Sequence, residues 1–418
     1  MVGGRVGLAV DRSLLATLAR GHRVALVTGT NGKTTTTRML VAALSDTGGP
    51  PVVSNETGAN MPAGHVAALA GAPAGALAVL EVDEGYLDRL IVETRPRVIL
   101  LLNLSRDQLD RISEVRMMVD RWRTALGRLQ APSTPGGSGT VVVANADDPM
   151  VVWAAMAAPE VRWVGAGQVW HLDAVGCPSC GGRIVFDATG GWSCDRCAFA
   201  RPDRGAWLEG PQLVLADGSR LTVSLGLPGQ FNRANATMVA LAVPAMRSDG
   251  ELTSGSVDAA ETVDAVAEVL SRVSDVHQVA GRFSTMVRHG RSVRLLLAKN
   301  PAGWTAIFDL LEEERTTGLQ VVLSINARTA DGFDTSWLWD VPFERLADRV
   351  VVATGERRLD LAVRLRYAGV DATVVSDPLA AVDQAVARIV DRVGDADCGS
   401  SIDFVGNYTA FADLRARA

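Results

Sequence analysis

The chain has 418 residues, of which 48% are hydrophobic and 21% charged, with a formal net charge of −6 at pH 7 and a pI near 5.5. This length allows two or three domains with cores of their own. The acidic balance argues against a protein that coats nucleic acid, because such proteins carry a basic footprint. No secretory pattern begins the sequence, so we expect a cytoplasmic protein.

Short apolar runs alternate with helix-like segments in the N-terminal part of the chain. This alternation predicts an α/β domain with a parallel sheet and helices on both faces. The predicted strands are 24–27, 51–54, 77–82, 98–103 and 141–144. A polar residue follows each strand, and ligands of open α/β sheets bind outside the carboxyl ends of the strands. Functional residues are therefore expected along that edge.

The first of these strands leads into Gly29-Thr-Asn-Gly-Lys-Thr-Thr35 and then into a helix-like stretch. Glycines let backbone N–H groups point at phosphates, Lys33 can reach the outer phosphates, and the Thr34 hydroxyl can bind Mg²⁺. The common P-loop has a further Gly where this chain has Val27, so only the short form of the motif is matched. We predict ATP binding, with a plain strand-to-helix turn as the alternative.

Two later strands end in polar side chains that suit the same site. Glu81-Val-Asp-Glu84 offers carboxylates, and carboxylate oxygens are ligands that Mg²⁺ prefers. The alternative is a solvated strand end. Asn145-Ala-Asp-Asp148 offers an amide that can hydrogen-bond a base edge, although such runs also form ordinary turns.

Four of the five cysteines form two C-x-x-C pairs that are separated by thirteen residues: Cys177, Cys180, Cys194 and Cys197. Two such turns present four thiolates to one ion, which predicts a structural zinc site in an inserted ribbon at about 163–204. Without a secretion signal a disulfide framework is disfavoured, and a redox motif would need only one pair.

A second series of strands follows from about Gly281, at 293–298, 319–325, 350–353, 372–375 and 402–405. We therefore expect a first domain at 1–278 and a second α/β domain at 279–418. No transmembrane segment is expected, since the longest stretch without Asp, Glu, Lys or Arg, 57–80, contains several Gly, two Pro and His65.

Read in chain order, these motifs resemble those of the ATP-dependent Mur ligases: 29–35, 55–60, Glu81, 106–110, 145–148, Asn232, Asn235 and Gly281-Arg282. Within that family, the Cys₄ insertion and the segments 297–303 and 331–340 resemble the MurT-type branch. The resemblance implies a central P-loop ATPase domain with an inserted zinc ribbon, followed by a Rossmann-like C-terminal domain. Only about 23 residues precede the first strand, so no UDP-binding domain and no UDP-linked substrate are expected.

The resemblance also implies roles for single residues. The segment Gly29 to Thr35 would hold the ATP phosphates, with Thr30, Asn31, Gly32, Lys33 and Thr34 between its ends. Thr34 and Glu81 would bind Mg²⁺, Asn145 and Asn235 would contact the adenine, and Arg282 would contact the ribose or phosphates. A cation, a metal and a guanidinium would together spread the charge of a transferring phosphoryl group.

The chain departs from the wider family at two positions. Gln108 stands where the wider Asp-His-Leu-Asp pattern has a histidine, and Lys299 stands where the wider family has another. Both changes agree with the MurT-type branch, and they remove the family's histidine roles from these positions. Asn326 is a weak candidate, since Asn326-Ala-Arg differs from the more usual Asn-Asp-Asn.

In that branch a ligase subunit amidates the α-carboxyl of D-glutamate in the lipid II stem peptide, by way of an acyl phosphate and ammonia, during peptidoglycan biosynthesis. A Cys-His glutaminase needs a free cysteine near a histidine, and here Cys398 lies far in sequence from every histidine. The resemblance therefore implies a heterodimer with a GatD-like glutamine amidotransferase, whose Cys-His pair Asp334 would complete. Because lipid II is a membrane lipid, the resemblance also implies a cytoplasmic protein that associates peripherally with the inner face of the plasma membrane.

Two other functions remain open from the residues. A Mur or folylpolyglutamate-type ligase acting alone on an amino acid is disfavoured by the Cys₄ ribbon and by the missing UDP domain. A zinc-ribbon P-loop protein that binds nucleic acid is disfavoured by the acidic net charge. Asp331-Gly-Phe-Asp334 could also be a simple Asx turn, and Trp337, Trp339 and Phe343 could be partner-facing or packed in a core.

Overall fold

The structure of the chain is a computed structural model. It describes residues 2–46, 48–55, 59–106, 112–129, 139–168, 170–187, 189–247, 259–276, 283–313, 320–393 and 402–417. The chain divides into two compact units: the first comprises 1–105 and 112–277, and the second comprises 106–111 and 278–418.

The first unit is built on one large sheet and a small hairpin. The strands in chain order are β1 Arg23–Thr28, β2 Val52–Ser54, β3 Leu77–Glu81, β4 Val98–Leu101, β5 Val141–Asn145, β6 Val161–Gly165, β7 Ile184–Phe186, β8 Trp192–Cys194, β9 Ala206–Glu209, β10 Gln212–Leu215 and β11 Arg220–Thr222. Nine of them form a sheet in the order β11-β10-β9-β6-β5-β4-β1-β3-β2, and β7 pairs with β8. Every neighbouring pair from β2 across to β9 is parallel, and β10 is antiparallel to both of its neighbours, β9 and β11.

Nine helices accompany this sheet in the described part of the unit: α1 Val2–Val10, α2 Leu14–Ala19, α3 Lys33–Leu44, α4 Pro62–Leu69, α5 Leu87–Thr94, α6 Ile112–Leu126, α7 Pro149–Ala155, α8 Gln230–Arg247 and α9 Ala259–Ser274. Strands β3, β4 and β5 are buried along their whole length, because helices cover both faces of the parallel sheet. A core of apolar side chains from these strands and helices includes Leu26, Leu80, Trp122 and Val151.

The second unit has a six-stranded sheet in the order β12-β13-β17-β14-β15-β16. Its strands are β12 Phe283–Arg288, β13 Arg291–Leu297, β14 Gln320–Ser324, β15 Val350–Thr354, β16 Ala372–Val374 and β17 Ile402–Gly406. Its helices are α10 Pro301–Glu313, α11 Arg358–Tyr367, α12 Pro378–Val393 and α13 Tyr408–Ala416. Strands β12 and β13 form an antiparallel hairpin, and the remaining pairs are parallel.

The predicted α/β fold class is confirmed, and every predicted strand is observed with its ends displaced by at most two residues. Strands β6, β9, β10, β11 and β12 are additions to the prediction, and β7 and β8 lie within the predicted ribbon. Because β6 occupies Val161–Gly165, the first residues of the predicted zinc insertion belong to the large sheet.

Candidate functional site

The glycine segment after β1 has the backbone of a phosphate loop. Gly29 and Gly32 have φ values of 142° and 87°, which favour glycine. A Cβ on Gly29 would lie 2.9 Å from the backbone oxygen of Asn103, and one on Gly32 would lie 2.9 Å from Oδ1 of Asn235. Both glycines are therefore required by conformation and by space. Helix α3 begins at Lys33, so its N-terminus faces the loop.

The segment that follows β4 holds this loop in place. Thr30 N donates to Asn103 O at 3.0 Å, and Thr30 Oγ1 donates to Ser105 O at 3.0 Å. Asn31 N donates to Asn103 Oδ1 at 2.8 Å, while Asn103 Nδ2 donates back to Asn31 O at 3.0 Å. The sequence predicts Asn103 and Ser105 at the sheet edge but assigns them no such role. Their signal is their position directly after an apolar run.

Lys33 is buried, and its ammonium group has a carboxylate partner. Nζ donates to Gly29 O at 2.5 Å and Thr30 O at 3.3 Å, and it forms an ion pair with Glu84 Oε2 at 3.1 Å. Burial raises the pKa of Glu84, and the nearby Lys33 ammonium partly offsets that increase. Thr34 and Thr35 follow on the first turn of α3, with Thr35 buried and Thr34 half-buried.

Glu81 ends β3 and lies opposite Val27 of β1 in the sheet register. Its backbone is fixed on both sides: Glu81 N donates to Asn55 Oδ1, and Asn55 Nδ2 and His65 Nε2 donate to Glu81 O, all at 2.8 Å. The residue is only 4% exposed, yet its carboxylate forms no hydrogen bond or ion pair with the residues that the structure describes. A carboxylate on a fixed backbone, without a protein partner, is suited to bind a cation, so this arrangement is consistent with Glu81 as a metal ligand.

Asn145 ends β5, and its buried amide is already engaged. Nδ2 donates to Leu102 O at 2.9 Å and to Gln168 Oε1 at 2.8 Å, and Oδ1 accepts from Asp147 N at 2.9 Å. The predicted contact of Asn145 with adenine would have to use the remaining lone pair of Oδ1 or replace one of these bonds.

Two aspartates follow Asn145. Asp148 caps α7 by accepting from Met150 N and Val151 N, and burial raises its pKa to about 6. Burial also raises the pKa of Asp147, and the ion pair with Arg201 opposes that increase. Asp147 and Asp148 therefore have structural roles, because each carboxylate binds groups of neighbouring residues.

Asn235 is brought to the phosphate loop by α8, where its side chain lies against Gly32. Its neighbour Asn232 instead donates to Pro228 O at 2.6 Å, at the start of the same helix. Arg282 and Gln108 lie outside the described residues, and so does the motif residue Asp107. Lys299 belongs to the second unit, where its Nζ lies 5.7 Å from the ring centre of Tyr408.

The four predicted cysteine ligands are brought together. Their sulfur atoms lie within 4.8 Å of one another, with Cys177 and Cys197 at 3.7 Å and Cys180 and Cys194 at 3.5 Å. Tetrahedral coordination at a Zn–S distance of about 2.3 Å gives sulfur separations of about 3.8 Å. The donor set and its spacing therefore fit one soft tetrahedral metal ion. Ile184, Trp192 and Phe199 form a small apolar core beneath it.

In the second unit, Asp334 is exposed on a loop before a 3₁₀ turn at Ser336–Asp340. Its Oδ1 accepts from Ser336 Oγ at 2.6 Å and Ser336 N at 2.8 Å, which lowers the pKa of the carboxyl group. The aromatic residues that follow are split by burial. Trp337 and Phe343 are core residues, whereas Trp339 is 55% exposed.

An apolar surface lies beside this loop. Leu359, Val363 and Tyr367 recur every four residues along α11, so they share one helix face, and all three are exposed. The Tyr367 and Trp339 rings are 5.4 Å apart. Thr335 Oγ1 donates to Asp360 of the same helix at 3.5 Å. We call Trp339, Leu359, Val363 and Tyr367 the α11 face.

Asn326, the weak candidate, is a structural residue of this unit. Its Oδ1 accepts from Glu356 N at 3.0 Å, and its Nδ2 donates to Thr409 Oγ1 at 3.1 Å. Across the described residues of both units, no helix is long and apolar enough to cross a membrane.

Two family models match the chain. The Mur ligase middle domain matches residues 27–174, and the MurT ligase C-terminal domain matches residues 297–411. The first match contains the phosphate loop, Glu81 and Asn145, and the second contains Asp334.

Individual proteins agree with these models. The chain is 27% identical to "Lipid II isoglutaminyl synthase (glutamine-hydrolyzing) subunit MurT" of Streptococcus pneumoniae, over 99% of this chain and 90% of that protein. It is 28% identical to the protein of the same name in Staphylococcus aureus, over 98% and 91%. A pseudomurein peptide ligase type C from Methanothermus fervidus shares the fold, with a TM-score of 0.64 at 20% identity, over 95% of this chain and 79% of that one. The chain therefore belongs to the Mur ligase family, and within it to the MurT branch.

Proposed function

We propose that the chain is the ligase subunit of a glutamine-dependent lipid II isoglutaminyl synthase. Its reaction is the ATP-dependent amidation of the α-carboxyl of D-glutamate in the lipid II stem peptide, a step of peptidoglycan biosynthesis. The observation that carries the proposal is the similarity to two MurT subunits over nearly the whole chain. The phosphate loop, whose backbone suits a nucleotide phosphate, and the Cys₄ cluster, whose spacing suits one metal ion, also support it.

The first unit supplies the phosphate loop, the proposed Mg²⁺ ligands and the proposed adenine contacts of the ATP site. Backbone N–H groups of Gly29 to Thr35 and the N-terminus of α3 hold the phosphates, and Lys33 neutralises the charge of the outer ones. Thr34 and Glu81 are the proposed Mg²⁺ ligands, and bound Mg²⁺ would neutralise phosphoryl charge. Asn145 and Asn235 are the proposed adenine contacts. Arg282 is proposed to contact the ribose or the phosphates.

The chemistry has two steps. A carboxylate oxygen of D-glutamate attacks the γ-phosphorus of ATP, the bond to the β,γ-bridging oxygen breaks, and ADP leaves. Ammonia then attacks the acyl phosphate carbon, phosphate leaves with the C–O bond pair, and one proton is lost to give the amide. Lys33 leaves Glu84 to contact a phosphate oxygen, so its role is to hold charge and orient the phosphoryl group.

The ammonia comes from a partner. We propose a heterodimer with a GatD-like glutamine amidotransferase, in which Asp334 orients and charge-stabilises the imidazole of the partner's Cys-His pair. The exposure of Asp334 and its lowered pKa support this role, because the carboxylate is accessible and ionised at neutral pH. The α11 face lies beside Asp334 and offers the apolar contact area that a partner interface needs.

Zinc is the metal that we propose for the four cysteines. The closed Cys₄ set leaves no coordination position for a substrate, so the ion stabilises the ribbon. The substrate is lipid-linked, and we propose that the protein works in the cytoplasm at the membrane surface without inserting into it.

Reconstitution tests the function directly. The protein is combined with a GatD-like subunit, glutamine, ATP and lipid II, and mass spectrometry follows the conversion of carboxyl to amide. We expect each stem peptide to exchange one hydroxyl group for one amino group, with release of one phosphate for each amide formed. ATP turnover that instead depends on an added amino acid, without a partner, would support a stand-alone ligase.

A variant pair refines this experiment. Asp334→Asn should abolish glutamine-dependent amidation and retain the activity measured with a high concentration of ammonium salt, since the ligase site is untouched. Asp371→Asn, an exposed aspartate of the same unit, is the matched control and should retain both activities. Loss of both activities in Asp334→Asn would contradict the assigned role.

A further inference from the structure

The Cys₄ ribbon forms polar contacts with residues 145–148, at the end of β5 and directly after it. Trp192, on β8 of the ribbon hairpin, donates its indole N–H to Ala146 O at 3.0 Å. Arg201, just after the ribbon core, lies with Nε 3.0 Å from Asp147 Oδ1, and the two side chains are 11% and 5% exposed. A buried hydrogen bond and a buried ion pair therefore link the ribbon to residues 145–148.

The chain that leads into the ribbon contacts the same four residues. Gly167 N donates to Asp147 Oδ2 at 2.7 Å. Gln168 accepts from the Asn145 amide at 2.8 Å and donates through Nε2 to Trp170 O at 3.0 Å. The ribbon and the residues that lead into it, Gly167 and Gln168, thus orient the Asn145 side chain and hold the backbone of residues 146–148 in place.

On its other side, residues 145–148 contact the loop that holds the phosphate site. Asn145 Nδ2 donates to Leu102 O, and Asp148 Oδ2 accepts from Leu104 N at 2.8 Å. The adjacent Asn103 and Ser105 are the residues that bond to Thr30 and Asn31. Hydrogen bonds and the two short backbone segments 145–148 and 102–105 therefore connect Trp192 to the phosphate loop.

We propose that the Cys₄ ribbon is a positioning element of the nucleotide site, with Trp192 and Arg201 as its positioning residues. The inference rests on the proposed ATP site and extends it. Segments between a strand and a helix are oriented by their partners, and polar partners that orient a binding residue affect affinity without touching the ligand.

The test measures nucleotide affinity in the full chain. Trp192→Phe keeps an aromatic ring in the ribbon core and removes the N–H donor, and Arg201→Met keeps the aliphatic stem and removes the charge. Arg220→Met is the control, because Arg220 of β11 forms an ion pair with Glu209 of β9 in which both side chains are exposed. Calorimetry with Mg²⁺ and a non-hydrolysable ATP analogue gives Kd, and zinc content and melting temperature verify folding.

We expect Kd to rise about fivefold in each ribbon variant, the factor that corresponds to one lost hydrogen bond, and to stay unchanged in the control. In the amidation assay KM for ATP should rise more than kcat falls. Wild-type affinity in a folded, zinc-loaded Trp192→Phe protein would overturn the inference, even if Arg201→Met failed to fold. A wild-type chain that binds no nucleotide would instead overturn the proposed function.

Discussion

Two carboxylates near the end of β3 differ in their partners, although they lie only three residues apart. Glu84 forms an ion pair with the phosphate-loop lysine, so its charge is balanced within the protein. The Glu81 carboxylate has no such partner among the described residues, while its backbone is fixed by Asn55 and His65. Glu81, with a fixed backbone and an unpaired carboxylate, is therefore suited to bind a metal ion. Glu84, whose carboxylate is paired, is suited to hold the Lys33 side chain in position.

This difference predicts separate effects for two isosteric changes. Glu81→Gln removes the charge that the cation needs, so the Mg²⁺ concentration for half-maximal activity should rise at least about tenfold. Glu84→Gln should leave that concentration near the wild-type value and change KM for ATP, because it alters the position of Lys33. A Mg²⁺ titration of initial rates at saturating ATP checks both. Equal Mg²⁺ shifts in the two variants would contradict the assignment.

At the level of elements, α4 is tied to the sheet by a buried histidine. His65 donates through Nε2 to Glu81 O, and its Nδ1 is buried without a hydrogen-bond partner in the described structure. Burial is the main cause that lowers the pKa of His65, with Arg89 adding to it and the bond to Glu81 opposing it. The neutral imidazole is therefore the form that joins the helix to the strand end.

The sign of the pH dependence follows from that lowered pKa. Below about pH 6.5 the unfolded chain binds a proton at His65 that the folded chain resists, so the free energy of unfolding should fall as the pH falls. His65→Gln keeps an N–H donor for Glu81 O and does not titrate. Its melting temperature should therefore decline less than that of the wild type between pH 7.5 and pH 5. Thermal unfolding followed by circular dichroism measures this, and parallel curves would contradict it.

For the whole molecule, the sequence predicted features that depend on local pattern. Buried parallel strands appear as apolar runs, and the C-x-x-C pairs specify a four-thiolate cluster by spacing alone. Contacts between residues that are far apart in the sequence could not be predicted. The pairing of Trp192 with Ala146 and the bonds of Asn103 to the phosphate loop join positions 46 and 72 residues apart, and no local signal marks them. Strands β9 and β10 were also missed, because each has only 4 residues and is too short to show a clear alternation of apolar and polar side chains.

The exposed α11 face gives a prediction that belongs to the whole molecule, since it concerns assembly with the glutaminase. Tyr367 is 75% exposed and pairs only edge to face with Trp339, so truncating it costs the isolated chain little packing. In an apolar interface the same truncation removes a large buried ring, and aromatic residues often contribute about 2 kcal/mol or more to binding. Tyr367→Ala should therefore raise the Kd for the GatD-like subunit about 30-fold.

Calorimetric titration of the two subunits measures that Kd, and the amidation assay separates binding from chemistry. Glutamine-dependent activity should fall at limiting partner and recover at saturating partner, while ammonia-dependent activity stays at the wild-type level because the ATP site is unchanged. Val287→Ala is the control, since Val287 is equally exposed but lies on β12, outside the α11 face. An unchanged Kd in Tyr367→Ala would move the interface away from α11, and a loss of ammonia-dependent activity would assign Tyr367 to the ligase reaction itself.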